Sequence, residues 1–99
     1  MNLLLLLAPE DNCLVACADL AVHQPVQLDG HALSLPQAVP MGYKIARQDL
    51  SAGDKVVRHG AVIGSATQTI ARGALIHTHN LRSDYLPTRD QASTREQAA

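Results

Sequence analysis

The residues of this sequence that could most readily do chemistry lie at 77–80, where an apolar run ends in His-Thr-His-Asn. Two of the five histidines, His77 and His79, stand there with one residue between them. If the segment is a strand, both imidazoles share one face, with their Cα atoms roughly 6.5–7 Å apart. Imidazoles at that separation can share a metal ion, hold an anion, or act as an acid and a base. The alternative is a strand end that carries two exposed polar residues.

The composition narrows the classes of protein to consider. The 99 residues predict one domain, and because Trp and Phe are absent its core must be aliphatic. A net charge of −1, with no basic stripe and only two tyrosines, argues against nucleic-acid binding. Cys13 and Cys17 are too far apart along a strand for a disulfide, so we expect two buried free thiols in a reducing cytoplasm. A pair of metal-binding cysteines is the alternative.

The two ends of the chain are expected to differ from the middle. Residues 2–8 are mostly leucine, but no positive residue precedes them, and the run is shorter than the roughly 20 residues of a membrane span. We therefore expect a strand buried on both faces there, and no membrane segment. After residue 82 apolar residues become scarce. This predicts a domain over 1–82 and a flexible polar tail over 83–99.

Short apolar segments alternate with turn residues along the middle of the chain. Asp29-Gly30, set between alternating segments, predicts a hairpin. A weak repeat relates 49–56 (Asp-Leu-x-x-Gly-x-x-Val) to 69–76 (Thr-Ile-x-x-Gly-x-x-Ile), with a degenerate third copy at 19–26. In each clear copy the glycine would supply a positive φ between two strands. Many short strands joined by glycine turns, without a convincing amphipathic helix, predict a small all-β fold.

An ordered set of motifs then carries a resemblance to a known family. It begins with Pro-x-Asp-Asn and Asp-Leu-x-x-x-x-x-Val, and continues with Pro-x-Gly-x-Lys-x-Ala and Asp-Leu-x-x-Gly-x-x-Val. It closes with Gly-x-Val-Ile-Gly-x-Ala-Thr at 60–67 and Ile-x-x-Gly-x-x-Ile-His-Thr-His-Asn at 70–80. Over residues 3–81 the sequence resembles the SAF domain of the altronate/galactarate dehydratase family.

The resemblance implies a β-clip fold of short, bent strands. It also implies a role beside a large catalytic subunit that eliminates water from a sugar acid, usually with a divalent metal such as Fe²⁺. A similar small subunit occurs in sulfolactate sulfo-lyase, which eliminates sulfite. Both reactions remove a proton next to a carboxylate, and so need a base, an electrophile and an acid for the leaving group.

The resemblance also implies roles for five residues. His77 and His79 become candidate catalytic groups or metal ligands, although two histidines need further ligands from elsewhere. Lys44 could pair with a substrate carboxylate or be a solvated surface lysine. Asn80 could bond a substrate hydroxyl or cap the strand end. The family often has Gly-His-Lys where this chain has Gly42, Tyr43 and Lys44, so either Tyr43 contacts substrate through its hydroxyl in place of the imidazole or that role is lost.

Three classes of function remain at this point. The first is a small dehydratase subunit, inactive alone, that completes the site of a large subunit in the cytoplasm. The second is a non-catalytic module that binds a hydroxy acid or carbohydrate. The third, a chaperone-like SAF protein of pilus or flagellar assembly, would need an export signal. Exposed strand edges also make self-association plausible.

Overall fold

A computed structural model describes residues 3–83, and most of the predicted tail lies outside these residues. The described part of the chain contains nine strands and no helix, which confirms the all-β prediction. The strands are β1 (Leu4–Leu5), β2 (Cys13–Ala16), β3 (Pro25–Leu28), β4 (His31–Ser34), β5 (Lys44–Ala46), β6 (Lys55–Arg58), β7 (Ala61–Ala66), β8 (Leu75–Ile76) and β9 (Leu81–Arg82).

The strands form one central sheet and two outer hairpin units. The central sheet has the order β1-β2-β5-β8, and each neighbouring pair is antiparallel. β3 and β4 form a two-stranded hairpin, while β6, β7 and β9 form a three-stranded sheet. The hairpin predicted at Asp29-Gly30 is confirmed, because Leu28 pairs with His31 across it. Both turn residues have positive φ (51° and 81°), as a two-residue hairpin turn of this kind requires.

The repeat seen in the sequence is part of a larger internal duplication. A strand, a turn, a hairpin and a second turn occur once over 13–43 and again over 44–74. Each unit is closed by an isolated bridge, Leu20 with Val39 in the first and Leu50 with Ile70 in the second. The segment at 39–45 is therefore a fourth copy of the motif, which its Val-Pro start had concealed. Four equivalent turn positions have positive φ, and they are His23, Gly42, Gly53 and Gly73.

The hairpins of the two units differ, because the β6–β7 hairpin contains a β-bulge. Val56 pairs with Gly64, but its neighbour Val57 pairs with Val62. Ile63 is thus an additional residue in β7 that the first hairpin lacks. Gly64 therefore lies inside β7 and not at its end.

The core consists of two aliphatic clusters, one on each face of the central sheet. Successive residues of a strand point to opposite faces, so β2 and β5 contribute to both clusters. The first cluster contains Leu14, Ala16, Leu20, Val26, Leu28, Leu35, Val39 and Ile45. The second contains Cys13, Ala46, Leu50, Val56, Ala66, Ile70 and Ile76. The central strands are consequently fixed from both sides, which gives a rigid support for residues at their ends.

The N-terminal leucine run differs from its prediction. Its strand is limited to Leu4–Leu5 and forms an edge of the central sheet. Leu5 is 45% exposed, so the expected strand over 2–8 with two buried faces is wrong. Leu3, Leu4 and Leu6 pack against the first cluster instead. Among residues 3–83, no helix is long and apolar enough to cross a membrane.

The two cysteines occupy different environments. Both are free, but Cys13 is buried in the second cluster whereas Cys17 is exposed, so only one of the two predicted buried thiols is confirmed. Burial, together with the nearby charge of Asp11, raises the pKa of the Cys13 thiol to about 11.

This difference predicts selective alkylation. Iodoacetamide should modify Cys17 in the native chain, and should modify Cys13 only after unfolding, because Cys13 is both inaccessible and protonated. Both cysteines lie in the tryptic peptide 1–44, so tandem mass spectrometry of its fragments over a time course measures the rate at each position. Equal rates at the two positions under native conditions would contradict the structure.

Asp11 and Asn12 form hydrogen bonds with hairpin backbone that is distant in the sequence. The Asp11 carboxylate is buried and accepts hydrogen bonds from the N–H groups of Ala8 (3.1 Å), His59 (2.7 Å) and Gly60 (2.8 Å). Asn12 donates to the carbonyl of Lys55 (2.8 Å) and accepts from the N–H of Val57 (2.8 Å). These bonds fasten the turn at 9–12 to the β6–β7 hairpin.

Arg47 fastens the same turn to the other hairpin. Its Nη1 donates to the carbonyls of Pro9 and Asp11, both at 2.9 Å. Its Nε lies 3.1 Å from both carboxylate oxygens of Asp29, at the tip of the β3–β4 hairpin. Both hairpin tips are therefore tied to one turn.

The Asp11 bonds predict a loss of stability in acid. Burial alone would raise the pKa of Asp11, but the hydrogen bonds from Gly60, His59 and Ala8 outweigh it and lower the pKa below 3.8. A depressed native pKa contributes stability above the unfolded value, and that contribution is lost as the pH falls below about 4. The thermal unfolding midpoint should therefore fall in this range, and should fall less steeply in Asp11→Asn. Parallel pH profiles for the two proteins would refute the assignment.

Candidate functional site

The His-Thr-His-Asn segment forms a turn at the end of the central sheet. β8 ends at Ile76, and the carbonyl of His77 accepts hydrogen bonds from the N–H groups of Asn80 (3.0 Å) and Leu81 (2.9 Å). The prediction that His77 and His79 share a strand face is therefore wrong. The chain has to reverse here because β9 pairs with β7, with Leu81 opposite Ala66.

The register of the central sheet brings Tyr43 and His77 together. Lys44 pairs with Ile76 across β5 and β8, so the preceding Tyr43 lies opposite the following His77. Their ring centroids are 4.7 Å apart and the ring planes are inclined by 30°. This is within the range of favourable offset contacts between aromatic rings. Both side chains are exposed, Tyr43 to 37%, so a ligand could reach the pair.

Lys44 is the one predicted site residue that the sheet separates from this pair. Neighbouring residues alternate between the two faces of a strand, so Lys44 lies on the face opposite to Tyr43. Its cross-strand partners are Val15 and Ile76, and its charge acts on the thiol of Cys13 on that same side. The contact of Lys44 with a substrate carboxylate stays a prediction, and it would take place on the face of the sheet opposite to Tyr43 and His77.

Asn80 caps the end of β8, which is one of the two roles predicted for it. It is only 3% exposed. Its Nδ2 donates to the carbonyl of Leu75 (2.7 Å), and its Oδ1 accepts from the N–H of His77 (2.9 Å). The carboxamide therefore bonds to the chain itself, on both sides of the histidine. Local spacing could have suggested this, because Asn commonly bonds backbone two to five residues away in turns.

The described residues do not assemble a metal site by themselves. Within 3–83, no group of three or more His, Cys, Asp and Glu side chains is placed to hold a metal ion. Thr78 and His79 are exposed on the turn, next to His77. Two imidazoles fall short of the three or four protein ligands that bound transition metals usually have. The donor set of residues 3–83 thus does not fit a complete iron site.

The fold and this surface define a class of protein. Residues 3–83 form an all-β domain with a duplicated core, and they present a tyrosine–histidine pair at the end of a rigid sheet. Residues 2–84 match the family described as altronate/galactarate dehydratase SAF domain. The chain belongs to this family, and the expected SAF-like fold agrees with its strands.

Comparison with individual relatives gives the extent of the similarity. The chain is 40% identical over 74 residues to the altronate dehydratase of Escherichia coli K12, which covers 75% of this chain and 15% of that protein. It is 32% identical over 75 residues to the altronate dehydratase of Bacillus subtilis 168, covering 76% of this chain and again 15% of the relative. It is 35% identical over 46 residues to the (2R)-sulfolactate sulfo-lyase subunit alpha of Chromohalobacter salexigens, covering 46% of this chain and 49% of that subunit.

Proposed function

We propose that this chain is the small SAF component of an altronate/galactarate-type dehydratase, and that it completes the active site of a separate large catalytic subunit. The exposed Tyr43–His77 pair carries the proposal, because it places a proton-transfer group and a hydroxyl on a rigid surface of a dehydratase-family domain. Support for a separate large subunit comes from the relative named as subunit alpha of a sulfo-lyase.

The chemistry assigns His77 a defined task. In the elimination, a base removes the proton on the carbon next to the carboxylate, and the C–H electrons form the new double bond. The hydroxyl on the neighbouring carbon leaves with its bonding electrons and takes up a proton to become water. A neutral imidazole can accept the first proton and an imidazolium can donate the second. We assign His77 to one of these transfers, and the Tyr43 hydroxyl to a hydrogen bond with a substrate oxygen.

The large subunit would supply what residues 3–83 lack. Their acidic and imidazole side chains form no three-ligand cluster, so the divalent metal, Fe²⁺ by the family resemblance, would be held mainly by that subunit. His79, exposed on the same turn, is then available as an additional ligand or proton-transfer group from this chain. The complex would act in the cytoplasm on a sugar acid, and it could contain more than one copy of this chain.

A second candidate is the small subunit of a sulfolactate sulfo-lyase. The similarity to a subunit alpha of that enzyme favours it. The same proton is removed in this reaction, but the leaving group is sulfite, so His77 could act as the base in either enzyme.

Association with the large subunit tests the proposal. The 99-residue chain and a dehydratase-type large subunit from the same organism should co-elute in size-exclusion chromatography and bind in calorimetry. The complex, which we call the reconstituted dehydratase, should then convert altronate or galactarate to a 2-oxo-3-deoxy acid in the presence of Fe²⁺. Sulfite release from sulfolactate would select the second candidate. Failure to associate would refute both.

A further inference from the structure

The backbone of His77 is held on both sides by a single residue, Asn80. The N–H of His77 donates to Oδ1 of Asn80 (2.9 Å), and the carbonyl of His77 accepts from the main-chain N–H of Asn80 (3.0 Å). With both peptide groups fixed, the direction of the His77 Cα–Cβ bond is fixed as well. The side chain that leaves along this bond is the one that contacts Tyr43, with 4.7 Å between the ring centroids.

Asn80 is itself anchored to the rigid part of the fold. Its Nδ2 donates to the carbonyl of Leu75 in β8 (2.7 Å), and its own carbonyl accepts from the N–H of Thr67 at the end of β7 (2.9 Å). All four of its polar groups are thus bonded, and the residue is 3% exposed. Because Asn80 is buried and fully bonded, it fixes the exposed His77 relative to β7 and β8.

We propose that Asn80 is a positioning residue for His77. It sets the angle at which the imidazole is presented beside Tyr43, and its effect on catalysis rests on the proposed function of His77. An asparagine side chain fits this task because it offers one acceptor and one donor, as the N–H of His77 and the carbonyl of Leu75 require. Aspartate would set a second oxygen against the carbonyl of Leu75, and alanine would leave both groups unbonded.

The chain contains a matched control for this role. Asn12 also makes two hydrogen bonds from its carboxamide to backbone, to Lys55 and Val57, but it lies at the β6–β7 hairpin and not at the 77–80 turn. Substitution of Asn12 therefore removes the same number and type of bonds without touching the support of His77. An effect shared by Asn80 and Asn12 variants reports general stability, whereas one confined to Asn80 reports positioning.

Nuclear Overhauser effects between the rings of Tyr43 and His77 test the proposal in the full-length chain without any partner. We expect Asn80→Ala to weaken these effects at least severalfold and to shift the His77 ring resonances, while Asn12→Ala leaves both as in the wild type. If Asn80→Ala does not fold, Asn80→Asp, which keeps Oδ1 and loses the donor to Leu75, is compared with Asn12→Asp. Folded Asn80 variants with wild-type ring contacts would overturn the proposal.

Turnover of the reconstituted dehydratase separates this inference from the proposed function. A displaced imidazole should lower kcat about tenfold or more while KM changes little, since misplacement of a reacting group by about 1 Å can cost 10²-fold. If Asn80→Ala disrupts the ring contact but turnover is unchanged, positioning stands and the catalytic role of His77 fails. If the ring contact is intact and turnover falls, positioning is wrong.

Discussion

His77→Ala is expected to lower kcat of the reconstituted dehydratase by about 10²–10⁴-fold, the usual contribution of a positioned acid or base. The imidazole stands beside Tyr43 at the end of a sheet that is packed on both faces, so its removal deletes a positioned proton-transfer group. Steady-state dehydration rates, with a binding measurement to show that the complex still forms, provide the test. A variant that retains association but loses turnover is the expected outcome.

Two substitutions give the controls for this prediction. His31→Ala removes an exposed histidine from β4, a strand that pairs with β3, and should leave kcat unchanged. Tyr43→Phe keeps the ring against His77 but removes the hydroxyl, so it should mainly raise KM if the hydroxyl binds substrate. Turnover of His77→Ala within twofold of the His31→Ala value would show that His77 takes no part in proton transfer.

Gly64→Ala is expected to be the most destabilising single-methyl addition at a glycine of the described chain. A Cβ at this position would overlap the backbone carbonyl oxygen of Arg82 and lie 3.0 Å from a Leu81 side-chain carbon. Backbone cannot move aside without separating β7 from β9, which pair through Ser65–Arg82 and Ala66–Leu81. Overpacking of this kind typically costs about 1–3 kcal/mol. At roughly 4–8 °C per kcal/mol for a domain of this size, the unfolding midpoint should fall by about 4–24 °C.

Differential scanning calorimetry measures this fall. Ala61→Ser, an exposed substitution at the start of the same strand, is the control and should stay within about 0.5 kcal/mol of the wild type. Because β9 directly follows the 77–80 turn, Gly64→Ala should also disturb the Tyr43–His77 contact. An unfolding midpoint equal to that of Ala61→Ser would mean that β9 does not approach β7 as closely as described.

Short sequence patterns correctly predict those parts of the fold that depend on residues close together in the sequence. Asp29-Gly30 predicts its hairpin because two adjacent residues with positive φ are needed there and these residue types tolerate it. The aliphatic composition predicts the core, and the glycine turns predict the all-β class. In each case the physical cause lies within a few residues of the signal.

Contacts between residues that are far apart in the sequence determine the features that the sequence did not predict. The amide partners of Asp11 at His59 and Gly60 lie 48 and 49 residues away, so its role could not be separated from an ordinary turn. Likewise, the contact between Tyr43 and His77 depends on the register of β5 against β8. The error over His77 and His79 has the same origin, since only the pairing of β9 with β7 makes the chain turn there.

We propose that this chain supplies part of an active site to a large catalytic subunit. The most direct measurement is the rate of dehydration of altronate and galactarate by the Fe²⁺-loaded large subunit, titrated with wild-type chain and, in parallel, with His77→Ala. We predict negligible turnover without the chain, a saturable rise at a one-to-one ratio with the wild type, and saturable binding without that rise for His77→Ala. Full turnover by the large subunit alone would contradict the account.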